Sequence, residues 1–437
     1  SDAPIAALLQ DLERGYDTEY GGFGDAPKFP QPEVHEFLLT QWRYSGDTKL
    51  YDIVAHTMLA MSRGGMYDHV EGGFFRYSTT RDWSVPHFEK MAEDHAGLLR
   101  VLAMLATFAP THEFRETLVS TVRYLRGVLH DPATGFFAGS QDADERYYEL
   151  PLNERRAREA PYVDRSSYTN WTCALAGALA WSACALDDDA LVALTMQTLD
   201  NMHDHLRAND DLLYHVLAPG GTPEVRGLFA DQVAYARALL DVHEVSGEPR
   251  FIARAQLLAD AVIAQFEAQD GGFYDRVNAQ ESLGRLAIPD RPIVDNGLFA
   301  EALLRLAALT GAYAYREHAQ RALRLYAGAS QGAGPFAATY CRALQRYLAP
   351  EITVRIVGDA ASTSDFREAA MRLPSPFTAI RTLAPAQAGE LALPSEPQPA
   401  AYVCAGQTCG APVRDAGRLG DAYDASIEAR ATRSYQR

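Results

Sequence analysis

Positive charge is scarce in this chain of 437 residues: 40 Lys and Arg stand against 57 Asp and Glu, a formal net charge of -17. Neutralising a phosphate backbone needs clustered cations, so the balance excludes a general nucleic-acid-binding surface. Long apolar runs are lacking as well. None approaches the ~20 residues a membrane helix needs, and the N-terminus does not read as a signal peptide, so a soluble protein without a membrane partner is expected. Cysteine is rare. Cys173, Cys184, Cys341, Cys404 and Cys409 make no disulfide framework, and a cytoplasmic setting is the simpler expectation. His203 and His205 in "NMHDHLRAND" have metal-like spacing but no third ligand nearby, and read as a solvated helix end. No metal or cofactor is therefore expected.

What remains is an ordinary globular composition, 47% hydrophobic and 22% charged, in a chain longer than one core usually requires. Residues 1–349 alternate amphipathic helical patterns with loops that resemble one another: "EYGGF" ending at Phe23, "EGGFF" at Phe75, "TGFF" at Phe137, "DGGFYD" at Asp275 and a weaker "GAGPF" at Phe336. Each is followed by a polar pair and a small-residue helix. The pairs are Asp94-His95, Asn170-Trp171, Asp231-Gln232 and Asp295-Asn296, with the His35 segment first in the series and "AATYCRALQRYL" last. A spacing of roughly 60 to 75 residues fits one helical hairpin per repeat. Six hairpins predict a mainly α (α/α)6 toroid, whose inner-helix N-termini converge on one end. From 350 to 437 the texture changes. "EITVRIVG", "FTAIRTLA" and "AAYVCAG" read as strands, "STSDFREAAMRL" and "LGDAYDASIEARA" as helices, and Pro385 to Pro399 as a linker or edge loop: a small C-terminal α/β subdomain.

Titratable and aromatic groups concentrate between Gly72 and Arg100. With Pro86 in the first turn, a helix running on from His87 puts His87, Lys90, Met91, Asp94 and His95 on one face, polar at the mouth and apolar below. Such a mouth offers His87 and His95 as groups titrating near neutrality, and Asp68, Asp94, Asp142 and Asp144 as carboxylates that burial can tune. In "SQDADERYY", Asp142 and Asp144 lie two apart and share a side in an extended segment; no EF-hand pattern is met. Trp83, Trp171 and Tyr147 add the flat faces a pyranose ring requires. Cys404 and Cys409 are not a CxxC pair. A structural thiol pair, a disulfide and a partner-facing redox site all stay open.

"GGFGDAPKFPQP", "GGMYDHVEGGFFRYSTTRDWSVPHFEKM", "SQDADE" and "YVCAGQTCGAPV" resemble the spermatogenesis-associated protein 20-like family, whose members carry a thioredoxin-like domain ahead of a six-hairpin toroid. That toroid is similar to six-hairpin glycosidases and N-acylglucosamine 2-epimerases, so the resemblance implies a sugar-like small-molecule ligand and a thioredoxin-like domain or partner. This chain departs from it in having no thioredoxin-like segment and a shorter insert after Asp142. The expected function is a carbohydrate-active enzyme. Hydrolysis would draw on Asp142 or Asp144 with Asp68 or Asp94, and on Arg76, Trp83 and Tyr147 for binding. Epimerisation would draw on His87 with His35, His69 or His95. Asn170, Trp171, Asp231, Asp295 and Asn296 complete the expected binding set. The alternative is a non-catalytic ligand- or client-binding module.

Overall fold

The computed structural model describes residues 1–434 apart from 278–283, 391–392, 395–397 and 407. In chain order the helices are α1 (Ala3–Gly15), α2 (Pro32–Ser45), α3 (Thr48–Arg63), α4 (Ala92–Phe108), α5 (His112–Tyr124), α6 (Glu145–Tyr148), α7 (Leu152–Arg155), α8 (Thr169–Leu186), α9 (Asp189–Leu206), α10 (Phe229–Ser246), α11 (Pro249–Phe266), α12 (Ile293–Thr310), α13 (Ala314–Tyr326) and α14 (Ala338–Leu348). After them come α15 (Ser364–Met371), α16 (Pro385–Glu390) and α17 (Leu419–Ser434). Local chemistry sets many of the boundaries. Asp47, Thr111 and Asp188 cap α3, α5 and α9 by accepting backbone N–H groups, and left-handed Gly46, Gly247 and Gly311 end α2, α10 and α12.

The toroid closes. Helix α2 packs on α4, α4 on α8, α8 on α10, α10 on α12, α12 on α14, and α14 back on α2. Around this inner ring lie α3, α5, α9, α11, α13 and α1, with one continuous apolar core between the two layers. The sixth pair is made from opposite ends of the sequence: α1 lies against α14, where the Cys341 thiol points at Pro4 O from 3.6 Å. Inner helices such as α8 and α12 are apolar nearly all round because they are covered on both faces, whereas outer α13 keeps charges on its solvent side.

Short strands decorate the mouth: β1 (Tyr77–Ser78) with β2 (Pro86–His87), then β3 (Lys90–Met91), β4 (Ser140–Gln141) and β5 (Val163–Asp164), then β6 (Ser167–Tyr168), β7 (Tyr214–Leu217) and β8 (Glu224–Arg226). The helix expected from His87 is thus corrected. Residues 86–91 are extended, pairing Tyr77 with His87 and Lys90 with Gln141, and α4 begins only at Ala92. Beyond α14, β9 (Ile352–Val357), β10 (Ala379–Leu383), β11 (Ala400–Ala405) and β12 (Thr408–Cys409) form a sheet ordered β10-β9-β11-β12, with β9 and β10 parallel. The expected division at residue 349 falls between α14 and β9. The expected linker from Pro385 begins as α16, and its residues 391–392 and 395–397 lie outside those described. This sheet sits against the C-terminal ends of the inner helices, tied by Arg43 to Leu373 O, Arg346 to Phe377 O and Arg381 to Leu309 O.

The repeated glycine loops are built alike. In the first two an aspartate opens the turn, Asp17 and Asp68, and its carboxylate accepts backbone N–H groups two and three residues on. The Phe then bridges back to the preceding helix end, Tyr16 with Phe23 and Tyr67 with Phe74. Gly73 has φ +85, and a Cβ there would stand 2.9 Å from His95 Nε2 and 2.7 Å from the Tyr124 ring. Gly73→Ala is expected to destabilise the chain by about 1–3 kcal/mol through strain, with the clash added. Gly24→Ala, at φ +83 with nothing within 4 Å, isolates the strain. Urea melts showing equal losses for the two would remove the clash from this account.

Candidate functional site

The polar pairs at the inner-helix starts divide their labour. Three of their second members, His95, Gln232 and Asn296, hold the loops. His95 Nε2 accepts the Phe74 N–H at 2.9 Å while Nδ1 donates to Met91 O; Gln232 accepts from Leu213 N, and Asn296 accepts from Phe273 N at 2.7 Å. His35, at the same place on α2, is sealed beside Phe23, and burial lowers both it and His95 to about 4. His95, spent as a loop tie, and His35, sealed in the core at 0% exposure, are not available to a ligand. This corrects the binding roles expected for His35, His95 and Asn296.

The first members face the mouth. Glu33 in α2, Glu93 and Asp94 in α4, Asp231 in α10 and Asp295 in α12 all lie in first helical turns. Glu33 and Glu93 reach solvent, and Asp94, Asn170, Trp171 and Asp295 are half-buried. Burial raises Asp94 to about 7, helped by Glu93, Glu33 and Glu89 and opposed by Arg76. Asp295 rises to about 6 for the same reason, with Asp231, Asp275 and Glu93 adding to it. Glu93 and Asp295 stand on helices diametrically opposed in the ring, and Glu93 nevertheless adds to the rise of Asp295. Helix N-terminal dipoles favour the ionised forms by about 0.3–1 kcal/mol each, too little to cancel the crowding.

Cations and aromatics complete the wall. Arg76 bonds Glu89 at 2.8 Å; burial raises Glu93, and Arg76 and the Trp171 indole oppose that rise. On the β6–β7–β8 sheet, His215 Nδ1 donates to both Asp231 oxygens at 3.0 and 3.1 Å, and Asp231 also accepts the Asn170 N–H at 3.1 Å. That carboxylate raises His215 against the effect of its burial. The Tyr168 ring lies 4.6 Å from Trp171 and 5.7 Å from His215. His215 is absent from the sequence-derived set. Its signal was available: "LLYHVLAPGGTPEVRG" alternates about a glycine turn, a hairpin pattern placed immediately before "LFADQ".

Other expected residues go elsewhere. Asp68 is 3% exposed and clamped by Lys90 at 2.8 Å and Arg155 at 2.7 Å; burial would raise it, but these two cations outweigh that and keep it ionised. It is a loop brace rather than a proton donor, repeating Asp17 with Lys28. Trp83 is fully buried, its indole N–H given to Tyr20 O. His87 stacks on Tyr77 on the outer hairpin, and His69 is exposed with Nε2 at 3.0 Å from Gly64 O. Asp142 and Asp144 are exposed on the insert, Asp144 capping α6; Tyr147 donates to Glu71. Of the sixteen expected site residues, the structure gathers Arg76, Asp94, Asn170, Trp171, Asp231 and Asp295. Among the described residues no group of three or more His, Cys, Asp or Glu is arranged to hold a metal ion.

Two turns below, the lumen is plugged by charge. Arg237 meets Glu36 across the ring at 3.3 Å, Arg342 joins Glu36 at 2.5 Å and Glu301 at 2.7 Å, Arg305 binds Asp241 and Glu244 at 2.8 Å, and Arg100 binds Asp241. Gly177 on α8 leaves the room: a Cβ there would come within 2.8 Å of Asp241 Oδ2. Below the first-turn carboxylates the ring is thus closed by arginine–carboxylate pairs.

Raised carboxyls tie stability to pH. Folded Asp94 and Asp295 hold protons that the unfolded chain releases near pH 4, so the stability linked to them is complete below that value and is lost as pH rises through about 6 to 7. Asp94→Asn is therefore expected to melt higher than wild type at pH 8, by on the order of 2–4 °C, and to lose the advantage at pH 4. Thermal melts at both values check this; a variant equally destabilised at each would refute the shift.

A closed ring of six inner and six outer helices, with acidic side chains in the first turns of several inner ones, defines the class: a six-hairpin toroid. Solved structures of that class match. Cellobiose 2-epimerase from Bacillus thermoamylovorans B4167 superposes with a TM-score of 0.61 at 12% identity, over 79% of this chain and 99% of that one. D-mannose isomerase gives 0.62 at 10%, over 78% and 96%, and an unsaturated glucuronyl hydrolase specific for heparin gives 0.58 at 12%, over 79% and 96%. At such identities the likeness is one of fold. In sequence the chain is homologous to spermatogenesis-associated protein 20, at 37% identity over 158 residues of the Homo sapiens protein and 39% over 140 of the Mus musculus one. Those matches cover 35% and 31% of this chain and only 20% and 18% of the relatives' length. No protein-family model matches. None of the described helices is long and apolar enough to cross a membrane.

Proposed function

We propose that this chain hydrolyses a glycosidic bond in a sugar-like small molecule held at the mouth of the toroid. The observation that carries the reading is the pair of half-buried carboxyls in the first turns of the inner helices α4 and α12, Asp94 raised to about 7 and Asp295 to about 6 by burial. Groups whose environments separate their proton affinities divide into acid and base. Asp94 gives its proton to the departing glycosidic oxygen, and Asp295 activates water or attacks the anomeric carbon. Trp171 and Tyr168 offer faces for the ring, while Arg76 and Asn170 offer donors to its hydroxyls. Epimerisation is less well supported, because His35 is sealed in the core, His95 is consumed as a loop tie and His69 and His87 lie outside, leaving His215 the imidazole at the mouth.

The test is a panel of aryl glycosides and oligosaccharides incubated with wild type, Asp94→Asn and Asp295→Asn. Hydrolysis by wild type, lost in both variants while ligand binding persists, supports the assignment. Epimerised product, or saturable binding without turnover by wild type, would replace it.

A further inference from the structure

The sheet beneath the toroid holds chemistry that the mouth does not use. Cys404 on β11 and Cys409 on β12 face each other across the antiparallel pair and are joined by a disulfide. The remaining cysteines, Cys173, Cys184 and Cys341, are free and buried, and burial raises all three thiols. Oxidation is therefore confined to one pair. Its two sulfurs differ in access: Cys404 is sealed at 0% exposure, whereas Cys409 is half-buried and forms part of the wall of an open cleft of about 870 Å³ bounded by residues 410–415 and α17. Arg355 Nη1 lies 3.7 Å from Cys409 Sγ and is the cation at the sulfur; farther along the cleft Arg414 and Arg418 are mixed with Glu351, Asp415 and Asp421. Cationic neighbours favour a thiolate over a thiol.

A stapling role suits this bond poorly. The cysteines are 5 apart in sequence, and short loops gain least from cross-linking. Moreover β11 is held without it, paired to β9 from Ala400 to Ala405 and bridged to Val413 on its other side.

We propose that Cys404–Cys409 is a thiol–disulfide exchange site, attacked at Cys409 Sγ by a thiolate of a dithiol entering the cleft. The incoming sulfur bonds to Cys409 Sγ, the bond to Cys404 breaks, and Cys404 leaves as a thiolate that takes up a proton. The dithiol's second sulfur, after losing its proton, attacks the mixed disulfide. Cys409 departs as a thiolate beside Arg355, and the dithiol leaves oxidised, having passed two electrons to the pair.

Dithiothreitol serves as the probe on the folded chain at neutral pH, with alkylation and mass measurement counting thiols and circular dichroism reporting the fold. Two cysteines are expected to become alkylable, with Cys173, Cys184 and Cys341 unlabelled and the fold intact. Single variants read the direction. The Cys409 thiol left by Cys404→Ser should react with a disulfide reagent at least tenfold faster than the Cys404 thiol left by Cys409→Ser. Adding Arg355→Met to Cys404→Ser should slow that reaction several-fold near neutrality. Reduction that requires denaturant, or equal reactivity of the two single variants, would overturn the proposal.

Discussion

Asp94→Asn is expected to reduce turnover by about 10²–10⁴-fold, the usual worth of a positioned general acid, while leaving the fold and ligand binding in place. The asparagine keeps the shape of the first turn of α4 but has no proton to give to a leaving oxygen. The wild-type pH profile should show the same dependence. Activity needs Asp94 protonated, so it declines above about pH 7, and it needs Asp295 ionised, so it declines below about pH 6. The apparent values belong to the coupled group of Glu33, Glu93, Asp94, Asp231 and Asp295 rather than to single residues. A leaving group that departs without protonation, such as an activated aryl glycoside, should restore part of the lost rate. A variant retaining full activity on unactivated substrates would end the assignment of Asp94.

Asp68→Ala carries the largest expected effect on stability, a loss of about 3–5 kcal/mol. Only two of this chain's three lysines, Lys28 and Lys90, are buried, and each is matched to the opening aspartate of a glycine loop. Lys90 is 0% exposed, surrounded by Phe75, Tyr124 and Tyr148, and burial already lowers it to about 8 despite Asp68. Without that carboxylate it keeps only Gly72 O among its bonded partners and faces the cation of Arg155, which itself retains Glu71 at 2.9 Å. The deficit should narrow as pH rises, because the unfolded chain holds the lysine proton up to about pH 10.4 while the folded variant sheds it earlier. Urea unfolding at pH 7 and pH 9.5 checks both the size and the sign. A loss below about 1 kcal/mol would mean that water reaches the pair.

The toroid was legible because its signals are local and repeated. A glycine turn, a polar pair and a small-residue helix recur with constant order, and nothing distant is needed to recognise them. Which member of each pair faces the mouth was not legible, since Asp94 and His95 differ by one residue and only the position of the Phe74 N–H decides between them. The start of α4 was misread for a related reason. Residues 86–91 carry a helix-like stripe, yet β1 and β4, from separate parts of the chain, hold them extended. Asp68 looked like a catalytic candidate because its partners Lys90 and Arg155 lie 22 and 87 residues away. The arginine floor did leave a trace. Arg100, Arg237 and Glu301 interrupt apolar helices two turns after Glu93, Ala230 and Val294, and charges so placed call for partners across a ring.

That α1 rests on α14 means the sixth panel of the ring is assembled from pieces made at the start and near the end of synthesis of the toroid. Until Leu348 has left the ribosome, the apolar faces of both pieces stand uncovered, so a nascent chain stopped short of it should be recognised by chaperones.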